Sequence, residues 1–269
     1  MNSMNSINSM NVAITGGAGF IGSQVGYFLF KKGYSVMLID NMSYGHKDNL
    51  IINGETFGNF INCDVRSPRI FDLLKDVDYV IHLAGIAPLP ECQSMPMKAI
   101  DNNVSGLANV LEASRINGVK QVIFSSTSAI YENNTSFPCS VNDTVSPSLI
   151  YSVTKQQAEL LCSSYNKNYG LGITILRFFN VYGPHQDFMR KHPPFIGYTI
   201  KTLLNNEEPT FFNDGTQRRD YVYIDDVCNL IEKCILNEKS INRTFNVCSG
   251  KTYSVNEMFE IIKKILGKE

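Results

Sequence analysis

Tyr151 and Lys155 stand four residues apart in YSVTK (151–155), a spacing that puts both side chains on one face of a helix. An ammonium beside a phenol stabilises phenolate and suits the tyrosine to general acid–base work. With 13 tyrosines in the chain the pattern also arises by chance. It recurs at Tyr27 and Lys31, where it reads as a solvated helix face. What separates YSVTK is its place after an apolar run, VIF, and a hydroxyl cluster, SSTSAIY (125–131). Hydroxyls at the end of a buried strand either cap a turn or line a site. The nearness of Tyr151 favours the site, with Thr127 sharing a proton with the phenol.

A second constellation lies at the start. The run TGGAGFIG (15–22) carries Gly16, Gly19 and Gly22 between a β-branched stretch and an amphipathic one. In a strand–turn–helix context the first glycine allows a tight turn. The second lets backbone approach a pyrophosphate, and the third lets helix and strand pack closely. The helix N-terminus then directs its amides at phosphate. Asp40 closes the next strand, at the distance expected of an acid that grips the adenosine ribose hydroxyls. Its charge would repel a 2′-phosphate, so the loop and acid point to NAD rather than NADP. Asp64 closes the third strand and reads either as an adenine contact or as a turn residue.

These groups need a frame. Apolar runs at 11–15, 35–40, 59–64, 79–85, 121–126 and 173–178 read as strands buried on both faces of a parallel sheet. Helical patterns near 20–32, 67–75, 97–117 and 151–169 alternate with them. The order implies an α/β fold, a Rossmann-type doubly wound parallel sheet with right-handed crossovers. After residue 184 the alternation weakens. Expected there are a helix near 195–205, a strand at EPTFF (208–212), a helix near 225–237, a strand at RTFNVCS and a last helix near 254–266. The division expected is a polar leader over 1–10, an NAD-binding domain over 11–180 and a smaller C-terminal α/β substrate lobe over 181–269. Met10 is a possible true start.

Composition excludes several classes. Net charge is −1, so no footprint for nucleic acid or an anionic membrane is present. No run reaches the roughly 18 apolar residues of a membrane span. The leader lacks the basic and apolar regions of a signal peptide. Seven scattered cysteines without a C-x-x-C pair fit reduced thiols in a cytoplasmic protein and disfavour a structural metal site.

With TGGAGFIG, DN (40–41), HLAG (82–85), DNNVSG (101–106), SSTSAIY, YSVTK, RFFNVYGP (177–184) and RRDYVYIDDV (218–227) in this order, the chain resembles the extended short-chain dehydrogenase/reductases that act on nucleotide sugars. The resemblance implies Tyr151 as base, Lys155 as its partner and Thr127 as hydroxyl relay. It assigns Phe20, Ile21, Asn41, Val65, Leu83, Ala84, Gly85 and Asn103 to the cofactor, beside the glycines, Tyr151 and Lys155. Asn180 and Arg219 go to a nucleotide-sugar substrate, expected to be UDP-linked. Arg219 is a fork donor suited to a diphosphate. It further implies a homodimer, through the helices near 97–117 and 151–169. The loop APLPECQ (87–93) is expected beside the hexose.

Family members share hydride transfer from sugar C4 and then diverge. Dehydratases and decarboxylases of the family carry an acid just after the relay threonine, where this chain has Ser128 and Ala129. The expectation is therefore NAD-dependent 4-epimerisation. The alternatives are a 4,6-dehydratase or decarboxylase, and a degraded NAD- or nucleotide-sugar-binding protein. Glu132 replaces a glycine usual in the family and is expected to face away from the site. Relatives also continue several dozen residues beyond a segment like TFNVCSGKTYSVNEMFEIIKKI. That leaves open a short lobe, a partner subunit that completes it, or lost catalysis.

Overall fold

Strand-forming runs and amphipathic helices alternate as β1 (Asn11–Thr15), α1 (Phe20–Lys31), β2 (Ser35–Asp40), a small hairpin of β3 (Ile51–Ile52) and β4 (Glu55–Thr56), β5 (Asn59–Asn62), α2 (Arg69–Leu73) and β6 (Tyr79–His82). There follow α3 (Leu89–Ser94), α4 (Pro96–Ile100), α5 (Gly106–Ile116), β7 (Gln121–Thr127), α6 (Ile150–Tyr169) and β8 (Ile173–Phe178). The remainder is β9 (Asn180–Tyr182), α7 (Phe195–Leu204), β10 (Arg218–Tyr223), α8 (Ile224–Leu236), β11 (Thr244–Val247), β12 (Thr252–Ser254) and α9 (Val255–Leu266). This computed structural model describes residues 10–211 and 213–268. Apart from Met10, the expected leader lies outside them.

Seven strands form one sheet in the order β11-β8-β7-β6-β1-β2-β5, and every pairing in it is parallel. Successive side chains leave a strand on opposite faces. In β1, Val12 and Ile14 join one core with Val25 and Leu29 of α1, while Ala13 joins the other with Leu107 and Leu111 of α5 and Ala158 of α6. Both faces are thus covered, which is why the strands read as continuous apolar runs. Chain order reverses between β1 and β6, and ligands of open α/β sheets bind at such a switch point.

The later part departs from expectation in two ways. The EPTFF strand does not form: residues 208–211 are irregular, and Phe211 is held by ring contacts with Phe195 and Phe259 instead of a ladder. β10 forms in its place, parallel to β9 and antiparallel to β12, in a separate three-stranded sheet. Nor does the chain separate at residue 180. β11 returns to the edge of the large sheet beside β8, and α8 sends Val227, Ile231 and Ile235 into the same core as β1. An apolar helix stripe must be buried somewhere, and that sheet face is where it goes. Earlier in the chain, the helix expected over 97–117 runs on through α4 and α5, joined by a π-helical turn, Asp101–Ser105.

Candidate active site

The glycine loop follows β1 as expected. Gly16 takes φ +71°, and a Cβ on Gly22 would lie 2.1 Å from the Gly16 oxygen. The loop and α1 therefore meet at a distance no side chain permits. Gly19 caps α1 without a side chain, so nothing of its own covers the free amides of the first turn.

One part of the cleft, about 180 Å3, runs between this loop and the ends of β2 and β6. It is lined by Gly16, Gly19, Asp40, Asn41, Val65, Leu83, Ala84 and Gly85, as expected, and also by Tyr44, Arg66 and Lys98. Asp40 accepts from the amides of Ala18 (3.1 Å) and Met42 (2.8 Å). Burial pushes its carboxyl up, against those two bonds.

Two expected cofactor contacts sit elsewhere. Asp64 does not line the cleft: its carboxylate is engaged by Arg66 Nε (2.8 Å) and Nη2 (2.7 Å) and by Asn41 Nδ2 (2.7 Å). The Arg66 guanidinium holds that carboxyl well below the usual range. Arg66, two positions on, faces the cleft instead. Asn103 is likewise spent. Its Oδ1 accepts from Ile86 N (2.8 Å), and its Nδ2 donates to Ile86 O (3.0 Å) and Thr154 Oγ1 (3.1 Å). It shapes the 83–86 loop that lines the cleft, because a buried amide must satisfy its own donors and acceptor first.

The wider part, about 640 Å3, shares Gly16, Gly19, Leu83 and Gly85 with the first. Phe20, Ile21, Gly22, Thr127, Tyr151, Lys155, Asn180 and Arg219 all line it. Residues from five separated segments thus meet at the switch point.

The hydroxyl cluster divides. Ser125 Oγ donates to His82 O (2.9 Å), and Ser126 Oγ donates to Glu159. Thr127 is both cap and site: its Oγ1 accepts from Ala129 N (3.1 Å), capping the 3₁₀ turn Ser128–Tyr131, and it lines the same cleft as Tyr151, whose ionised form its hydroxyl favours. The expectation of a site without a cap is corrected here. A strand ending in a tight turn leaves an amide that the threonine satisfies.

Burial pushes the Tyr151 phenol up to about 12, while the Thr127 hydroxyl pulls it back. Lys155 Nζ donates to the main-chain oxygen of Ser125 (2.7 Å) rather than to Tyr151. Its pKa falls to about 8, because burial penalises the ammonium. His82 is held neutral by burial and by Lys155, with a pKa of about 3. Its Nδ1 lies 2.8 Å from Thr15 Oγ1, its partner in the β1–β6 register.

Asn180 Nδ2 donates to Asp220 O (2.8 Å), which ties β9 to β10 at the rim of the cleft. Among the described residues, Arg219 donates a hydrogen bond to its neighbour's carbonyl, Arg218 O (2.8 Å). Arg190 also lines the cleft, a residue that sequence reasoning missed, since nothing in the irregular stretch 183–194 marks where its side chain turns. Neither Arg190 nor Arg219 forms an ion pair among the described residues. Of the 87–93 loop, Ala87 reaches the cleft, and Leu89 onward forms α3.

The fold and this cleft define a dinucleotide-binding α/β protein whose wider cleft brings Tyr151 and Lys155 together with Thr127. The chain belongs to the NAD dependent epimerase/dehydratase family, which it matches over residues 12–248. The glycine cradle and Asp40 fit the family's cofactor, NAD. Its relatives include a putative UDP-glucose 4-epimerase of Methanocaldococcus jannaschii, 36% identical over 95% of this chain and 82% of the relative. Among solved structures, the UDP-glucose 4-epimerase of Thermotoga maritima with UDP-glucose is 35% identical, with a TM-score of 0.90 over 97% of this chain and 84% of that one. The UDP-glucuronic acid 4-epimerase of Bacillus cereus, in complex with UDP-glucuronic acid and NAD, is 30% identical, with a TM-score of 0.87 over 97% and 84%. No helix among the described residues is long and apolar enough to cross a membrane.

Proposed function

We propose that this protein is an NAD-dependent nucleotide-sugar 4-epimerase acting on a UDP-linked hexose. The observation that carries the reading is the chemistry of the wide cleft. Among the described residues that line it around Thr127, Tyr151 and Lys155 there is no Asp or Glu. Elimination across C5–C6 or loss of a carboxyl group needs a further acid. Ala129 has no proton to give, and Glu132 does not line the cleft. Epimerisation needs no such group.

In this mechanism Tyr151, as phenolate, takes the proton of the sugar 4-hydroxyl through or beside Thr127. NAD held by the glycine loop and Asp40 would supply the hydride acceptor for C4 and the donor for return to the opposite face of the 4-keto sugar. Tyr151 then gives the proton back, so the cycle is redox-neutral. Lys155 supplies positive charge beneath the phenolate, and its bond to Ser125 fixes where that charge lies. Arg219 and Arg190, whose guanidinium groups form no ion pair among the described residues, are placed in this reading on the diphosphate. Asn180 at the rim orients the sugar. The same reading includes a cytoplasmic homodimer, its contact formed by the outward faces of α5 and α6, where Ile116, Leu160 and Tyr169 are exposed. Light scattering at twice the chain mass supports the dimer, and a monomer at micromolar concentration removes it.

The deciding experiment is an NMR product screen with UDP-glucose, UDP-N-acetylglucosamine and UDP-glucuronic acid. The 4-epimer without 4-keto-6-deoxy sugar is expected. A dominant 4-keto-6-deoxy product would replace the reading with a dehydratase. Bound NAD with no product from any sugar would leave a binding protein.

A further inference from the structure

We propose that Glu132 is a positioning residue that holds Tyr151 in register with Thr127. This rests on the reading of Tyr151 as the base.

Helix α6, which carries Tyr151 and Lys155, has a poor start of its own. Leu149 stands at its N-cap without a side-chain acceptor, and no acid lies in its first turn. Helix starts need acceptors and favour negative charge. Glu132 supplies both from a different segment. Its Oε1 accepts from the amides of Ser148 and Leu149 (2.8 Å for Leu149) and from Ser148 Oγ (3.1 Å). Its Oε2 accepts from Ser152 Oγ (2.9 Å). The carboxylate thus grips the chain on both sides of Tyr151. Burial resists its ionisation, yet these donors hold its carboxyl below the ordinary glutamate value.

The other end of the brace is Thr127. Glu132 directly follows the 3₁₀ turn Ser128–Tyr131, which Thr127 caps, and its own amide bonds Ala129 O (3.1 Å). One tight segment therefore sets the positions of both Thr127 and Tyr151: Thr127 as the cap of the turn, and Tyr151 through the bonds of Glu132 to the helix start. A plain glycine at position 132 would end the turn but leave the start of α6 without this acceptor. Glu132 does not line the cleft, so its effect on chemistry passes through Tyr151.

The test compares wild type, Glu132→Ala, Glu132→Gln and Tyr151→Phe, loaded with NAD and assayed with whichever UDP-sugar the product screen identifies. Glu132→Ala is expected to lose at least ~10-fold in kcat with KM unchanged, the scale of a small misplacement of a reacting group. Amide hydrogen exchange at Ser148 and Leu149 should accelerate in parallel. Glu132→Gln keeps an acceptor for the two amides and should recover part of both. Wild-type kcat in Glu132→Ala overturns the proposal whatever happens to its melting temperature. Should Glu132→Ala fail to fold, Glu132→Gln decides: reduced kcat with unchanged KM supports positioning, and wild-type kcat overturns it. Tyr151→Phe separates the two readings. If it retains turnover, both fall; if it is inactive while Glu132→Ala is normal, only this proposal falls.

Discussion

Lys155 Nζ lies 2.7 Å from the main-chain oxygen of Ser125, so its ammonium is anchored to β7, the strand that ends in Thr127. Its distance from the phenol is therefore set by the sheet and not by a contact with Tyr151. Burial makes the charge costly, and the cleft holds that cost in a buried ammonium over the Phe124 ring.

The cost has a signature in pH. The folded pKa of Lys155, about 8, lies below its ordinary value of 10.5. Between those values the unfolded chain binds more protons, so this residue makes stability rise with pH across that window. Lys155→Met removes the term. Its melting temperature relative to wild type should be most favourable below about pH 8 and lose ground toward 10.5. Turnover should fall by ~10²-fold or more. A pH-independent difference in melting temperature would contradict the assignment.

Tyr151→Phe should bind NAD like wild type and lose ~10²- to 10⁴-fold in turnover, the range for a general acid–base group. Thr127→Val removes the hydroxyl that pulls the phenol down. Its activity should need a higher pH to develop, because phenolate then forms less readily. Equal pH profiles for wild type and Thr127→Val would place the relay elsewhere.

Gly22→Ala puts a methyl group 2.1 Å from the Gly16 oxygen. Backbone must shift, at about 1–3 kcal/mol by the usual cost of overpacking. A lower melting temperature and weakened NAD binding by titration calorimetry are expected together. Unchanged NAD affinity would mean that the loop does not cradle the cofactor.

Arg177 and Glu159 form a buried two-point pair, Nε–Oε1 at 3.0 Å and Nη2–Oε2 at 2.7 Å, joined by Ser126 and Tyr131. Removing one member strands the other's charge. Glu159→Ala should cost about 3–5 kcal/mol in urea unfolding. The double substitution Glu159→Met/Arg177→Met should cost less than the sum of the singles. Additivity would show that the two charges are not coupled.

Much of this was legible in the chain because it is local. The six main strands were marked by continuous apolar runs, with ends shifted by a few residues, and the glycine spacing located the loop. YSVTK needed only the helical repeat to bring Tyr151 and Lys155 together. The EPTFF strand was misread because a strand exists only with a partner, and β9 and β12 had paired with Arg218–Tyr223 instead. The π turn within the helix over 97–117 was equally hidden, since one inserted residue leaves no mark in composition.

Asp64 and Asn103 show where such reading ends. Both are polar residues beside a site, and from their types alone each could meet a cofactor. Asp64 meets Arg66 and Asn41, and Asn103 meets Ile86 and Thr154, because a partly buried polar group takes the partner that packing brings nearest. Glu132 finds its use 16 to 20 residues away, at Ser148 and Ser152. Residue types and short spacings were enough for the fold, the glycine loop and the placing of Tyr151 and Lys155 on one helix face, since those depend on steric and helical repeats within one segment. Which carboxylate faces the cleft, which one staples a helix, and which arginines line the cleft were settled by long-range packing, because hydrogen bonds and ion pairs form between side chains that only the folded chain brings within 3 Å of one another.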